Sequence, residues 1–119
     1  MAVTEMWTFT VATANVDLTG FKVEARDGNI GKVDEATYDS GGSFLVVDTG
    51  PWIFGKKVLL PAGVIRDIDL DTETVFVDRT KEQIKNAPEF DEKHYRDDKY
   101  RGKVGSYYDR GGAGYSERT

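Results

Sequence analysis

The sequence has no cysteine, and that absence excludes a disulfide framework, a thiolate metal site and a thiol nucleophile. It has a single histidine, His94, so histidine-rich metal sites and paired imidazole chemistry are excluded as well. Long apolar runs are also missing. No stretch approaches the roughly 20 apolar residues that a bilayer-crossing helix needs, and the first residues, MAVTEMWTFTVATAN, lack both a basic start and a long apolar segment. These features lead us to expect a cytoplasmic protein. Cationic excess is lacking too, since residues 1–86 carry 14 acidic and 9 basic side chains while residues 87–119 carry seven of each. An acidic body repels a phosphate backbone, which disfavours nucleic acid as a partner.

What is present suits one domain of 119 residues, 39% hydrophobic and 31% charged. Six short apolar runs alternate with turn signals: Phe21–Ala25, Ile30–Tyr38, Phe44–Val47, Val58–Leu60, Val64–Leu70 and Val75–Val77. Asp27-Gly28, Ser40-Gly41-Gly42 and Thr49-Gly50-Pro51 supply the positive φ or chain reversal that tight turns need. The spacing predicts an all-β fold, a small antiparallel barrel of about six strands. In the fifth run Ile68 and Leu70 are expected to face inward, with Asp67, Asp69 and Asp71 in water. Phe44–Val47 is apolar throughout, which predicts a strand covered on both faces by a helix, the N-terminal segment or a second subunit.

Thr80 and Gln83 have the spacing of a capping box, so a short helix is expected near 80–86, stopped by Pro88. The domain then spans 17–90. Residues 1–16 form an N-terminal extension in which Trp7, Phe9 and Val11 alternate as in an extra strand. Residues 91–119 are polar, rich in tyrosine and glycine and nearly free of aliphatic side chains, which predicts a flexible tail whose removal leaves stability unchanged.

Three segments together resemble the PRC-barrel family: GFKVEARDGNIGKV from Gly20, GKKVLLPA from Gly55 and TKEQIKNAPEFD from Thr80. The resemblance covers roughly 17–90. It implies a small antiparallel barrel, as in the cytoplasmic domain of the reaction-centre H subunit and in ribosome-maturation factors. Family members resemble adaptors that hold other proteins, and standalone members are associated with self-association. This chain departs from the first form in lacking a membrane helix and from the second in lacking another barrel domain.

Searching for chemistry yields expectations of absence. Asp67, Asp69, Asp71 and Asp78 sit at the first, third, fifth and last positions of a Ca²⁺ loop, but Thr72 stands where the turn needs glycine. Outward strand positions explain the same spacing. His94 is read as solvated, Asp34 and Glu35 as pointing to opposite faces, and Gly111–Gly114 as lacking the strand and helix of a phosphate cradle. We therefore expect no catalytic residues, no metal and no cofactor: a non-enzyme.

Candidate partner-binding residues are Trp52, Ile53 and Phe54, rimmed by Lys56 and Lys57, together with Tyr95, Tyr100, Tyr107 and Tyr108. The aromatic 52–54 segment reads either as a plug for one barrel mouth or as an interface hot spot. The tyrosines, interleaved with Arg and Lys, read either as weak multivalent contacts or as part of a solubilising tail. The leading expectation is a protein-binding and assembly module that forms a homo-oligomer, most simply a dimer, and docks a cytoplasmic protein. The alternative is an RNA- or ribosome-linked accessory factor.

Overall fold

Alternation of burial along the strands decides where the chain turns its faces. In the first strand Val23 and Ala25 are buried while Lys22 is exposed and Glu24 half-buried, and in the next strand Ile30 and Val33 are the buried positions. The computed structural model describes residues 17–37, 43–50 and 56–109. Six strands follow one another: β1 Lys22–Ala25, β2 Gly28–Ala36, β3 Phe44–Asp48, β4 Lys57–Pro61, β5 Ile65–Asp69 and β6 Thr74–Val77. Two α-helices complete the described chain, α1 Lys81–Lys85 and α2 Asp98–Asp109. Among the described residues no helix is long and apolar enough to cross a membrane.

The strands form one sheet in the order β4-β3-β2-β1-β6-β5. Two features of the expected barrel need correction. The sheet is not closed, because β4 and β5 are its two edges and do not pair. It is also mixed, since β1 and β6 run parallel while the other pairs are antiparallel. The connection explains the open seam. β4 passes to β5 through a single 3-10 turn at Ala62–Val64, fastened by the Ala62 N–H to the Ser43 carbonyl at 3.0 Å. The chain turns a corner there, and β5 goes on to pair with β6 instead of β4. Bulges in the β1–β2, β2–β3 and β5–β6 pairs add local twist and curl the sheet around its core.

That core gathers Leu18, Val23, Ile30, Leu45, Leu60 and Val75, all fully buried. Each aliphatic side chain so placed contributes about 1.5–3 kcal/mol of transfer free energy. Gly31 sits where β2 lies against the end of β3, one residue before the Lys32–Asp48 pair. Its φ is +142°, and a Cβ there would lie 2.0 Å from the Asp48 carbonyl oxygen. Only glycine fits, and the Ile-Gly-Lys-Val strand is built around that crossing. Gly28, with φ +143°, follows the β1–β2 turn.

At the β5–β6 hairpin Leu70 is 57% exposed rather than inward, because it lies in the turn beyond the end of β5. The aspartates nearby are employed by the backbone: Asp69 Oδ1 accepts from the Asp71 N–H at 2.9 Å and the Thr72 N–H at 3.2 Å. Asp78 pairs instead with Arg26.

α1 starts as its sequence predicts. The Gln83 N–H donates to Thr80 Oγ1 at 3.2 Å, and the Thr80 N–H donates to Gln83 Oε1 at 2.8 Å. Asp27 adds a tie from the β1–β2 turn, its Oδ1 accepting from the Lys81 N–H at 2.8 Å.

The expected flexible tail does not hold through residue 109. α2 spans twelve residues and turns Tyr100, Val104 and Tyr108 into the core, a spacing of four that lines one helical face. A segment poor in aliphatic residues packs because tyrosine rings supply the apolar area and the hydroxyls of Tyr100 and Tyr107 find acceptors. Tyr100 Oη donates to the Glu89 carbonyl at 2.9 Å and Tyr107 Oη to the Gln83 carbonyl at 2.7 Å.

Candidate partner-binding groove

Lys56 precedes β4 and Lys57 opens it, after which the strand turns apolar, so charge sits at the edge of an apolar surface. The segment after α1 folds back against them. Asn86 ends the helix, Pro88 prevents its continuation, and residues 87–92 run past the start of β4. Between the two lies a groove of about 440 Å³.

Its apolar part is made by Val58, Ile84, Ala87, Pro88 and Phe90. The β4 bank carries Lys56 and Lys57, with Lys85 at the end of α1, and the opposite bank carries Glu89 and Glu92. The charges are arranged in pairs. Lys56 Nζ lies 3.5 Å from Glu89 Oε2, and Lys57 Nζ lies 2.9 Å from Asp34 Oδ2. The hydrogen bond that Lys57 donates to Asp34, and then the charge of Asp34, raise the Lys57 pKa above the usual lysine value. All four side chains are substantially exposed, so these pairs orient the rim more than they stabilise the fold.

A strap of aromatic contacts holds the glutamate bank in place. Phe90 and Tyr95 pack with ring centroids 5.0 Å apart, and Tyr95 meets Phe44 edge-on at 5.9 Å. Tyr95 Oη donates to Glu35 Oε1 at 3.0 Å, and Arg96 pairs with the same carboxylate. Asp34 therefore serves the lysine bank while Glu35 serves the strap, a division that the adjacent positions on β2 allow. The cover expected over β3 thus includes the chain's own residues after α1.

His94 Nδ1 sits 3.0 Å from Asp91 Oδ2. That hydrogen bond raises the His94 pKa and lowers that of Asp91, with the opposite charges adding to both shifts. The imidazole is exposed and its partner structural, which is the solvated role its sequence context suggests.

The sequence-derived candidates separate into three groups. Lys56 and Lys57 rim the groove. Tyr95, Tyr100, Tyr107 and Tyr108 instead fasten the C-terminal segment: Tyr100 and Tyr108 are buried, and burial raises the Tyr100 pKa to about 12 and pushes Tyr108 up further. These rings are occupied within the chain and are not exposed anchors in this conformation. Trp52, Ile53 and Phe54 lie outside the described residues. Ile84, Lys85, Glu89, Phe90 and Glu92 were not candidates, and only the stop at Pro88 hinted that the chain turns back here.

The sheet and its first helix are what known proteins share with this chain. The model of the PRC-barrel domain matches residues 14–84. The chain belongs to the PRC-barrel family. The match takes in all six strands, and α2 lies beyond it. Among solved structures, this PRC-barrel chain is similar to a Pseudomonas aeruginosa protein described as the 16S ribosomal RNA processing protein RimM. Identity is 26% over 51% of this chain and 40% of that one, with a TM-score of 0.44. The PRC-barrel chain thus spans less than half of that protein's length. Comparison with curated proteins gives no match.

Proposed function

We propose that this PRC-barrel protein is a non-enzymatic binding and assembly module of the cytoplasm that docks protein at the groove between β4 and residues 84–92. The observation that carries the reading is the division of charge around an apolar surface: lysines on one bank, glutamates on the other. Such a surface is its own complement. A two-fold axis across the groove sets Lys56 and Lys57 of one copy against Glu89 and Glu92 of the next, and covers Val58 and Phe90 of both. The aromatic segment Trp52–Phe54 is separated from Lys56 by Gly55 alone and adds the residue types that anchor protein interfaces.

An RNA-linked role would need cations in excess here. Lys56 and Lys57 are already matched by Glu89 and Asp34, which supports a protein partner over a phosphate backbone.

Charge reversal tests the reading by sedimentation velocity. Wild type should sediment as a dimer at high micromolar concentration, and Lys56→Glu with Lys57→Glu should shift it to monomer. Glu89→Lys with Glu92→Lys should do the same, and mixing the two variants should restore a heterodimer. A wild type that remains monomeric throughout, or a mixture that stays monomeric, defeats the self-association reading.

A further inference from the structure

The floor of the charged groove is incompletely covered, since Val58, Ala87, Pro88 and Phe90 line it and each stays half-buried. A segment able to take that apolar surface out of water gains by doing so. The last turn of α2 lies close by. Tyr107 Oη donates to the Gln83 carbonyl at 2.7 Å and the Arg79 guanidinium donates to the Tyr108 carbonyl at 3.0 Å, which holds that turn against the start of α1. Gln83 immediately precedes Ile84 and Lys85, two residues of the groove lining. Residues 110–119 therefore leave α2 beside the groove. Tyr115 stands six residues beyond Asp109, and a stretch of that length reaches up to about 20 Å.

The residues so delivered match what the groove offers. Residues 111–116 carry no charge, and Tyr115 is the one aromatic among residues 110–119. Glu117 and Arg118 follow, and neighbouring residues of an extended chain point to opposite sides. The groove has two sides to receive them, lysines on one bank and glutamates on the other. We propose that residues 115–118 seat in the groove of their own chain and compete there with the second copy: the Tyr115 ring covers Val58 and Phe90, Glu117 meets the lysine bank, and Arg118 meets Glu89 and Glu92. Tethering favours this occupant. A segment on a short linker acts at an effective concentration of about a millimolar, above the high micromolar range in which the dimer is expected. A tail seated about two thirds of the time weakens dimerisation about tenfold, because both copies must open their grooves. That regulatory consequence rests on the self-association reading, whereas the seat itself does not.

The test uses the full chain. Because the chain has no cysteine, Thr119→Cys gives a single attachment point for a nitroxide spin label. In NMR spectra the label should broaden the amides of Val58, Lys85, Ala87 and Phe90 and leave those of β5 sharp. Adding Tyr115→Ala should remove most of that broadening, which separates a seated ring from a tether that merely passes nearby. In a mixture with the isotope on one chain and the spin label on another, the groove amides should stay sharp. Groove amides that are sharp in the labelled chain itself, broadening that survives Tyr115→Ala, or broadening found only in the mixture each overturn the seat. Sedimentation velocity then reads the competition: Tyr115→Ala should tighten dimerisation about tenfold. An unchanged dimer constant beside a seat that NMR has established overturns the competition, and with it the groove as the dimer contact, while the seat stands.

Discussion

The six-stranded sheet and the C-terminal segment after α1 solve the same problem with different side chains. The sheet buries Val, Leu and Ile at alternating positions, so its apolar area comes from residues with no polar group to satisfy. The C-terminal segment buries tyrosines, and each ring needs an acceptor placed at its tip. Tyr95, Tyr100 and Tyr107 have one; Tyr108 does not. Aliphatic burial tolerates small shifts, whereas tip-anchored burial specifies one position and is lost when an acceptor moves. The sheet is accordingly expected to be the stable body and the segment to depend on it.

Truncation after Phe90 bears most heavily on that contrast. Losing Tyr95, Tyr100, Val104 and Tyr108 from the core should cost about 5 kcal/mol or more, given that removing one large buried aromatic costs about 3–5 kcal/mol. Urea denaturation of the truncated chain checks this, and an unchanged midpoint would mean the sheet stands alone. Within the sheet, Gly31→Ala drives a Cβ into the Asp48 carbonyl and should cost about 3 kcal/mol by the same assay. If it is tolerated, the β2–β3 crossing is looser than the distances show.

The smallest effect belongs to His94. Its pKa is raised in the folded chain by the hydrogen bond that it donates to Asp91, so its contribution is fully present below the unfolded value near 6.5 and fades as pH rises through the folded value. Proton NMR titration should place the imidazole above a model histidine, and Asp91→Asn should bring it back down. A wild-type titration at the value of a free histidine would remove the Asp91 contact from the segment's supports.

Much of the sheet was readable because strand alternation and turn chemistry are local. The six apolar runs correspond to the six strands, and the capping box at Thr80 appears at its predicted residue. Long-range pairing was not readable. That β1 meets β6 in parallel depends on how far bulges curl the sheet, and bulges such as the one between Val33 and Glu35 have no short-range signature. Leu70 fitted an alternating pattern that ended one residue earlier than its apolar character suggested. In the groove, Lys56 and Lys57 were legible as a charged approach to an apolar strand, whereas Glu89 and Glu92 looked like tail charges. The stripe of Tyr100, Val104 and Tyr108 has helical spacing, but a segment so poor in aliphatic residues has the composition of a tail.

The parallel contact between β1 and β6 has a consequence for how the chain comes together. Lys22 aligns with Thr74, and Arg26 reaches Asp78 across 52 residues, while β1–β2, β3–β4 and β5–β6 are hairpins that form locally. Closing that long loop costs more chain entropy than any hairpin and is repaid only when β6 arrives. During synthesis from the N-terminus, β1 therefore shows a bare edge of amides and carbonyls until residue 77 has emerged. For that interval the nearest strand from a neighbouring nascent chain is a competitor, and Lys22 and Glu24 are the charges on β1 that discourage it.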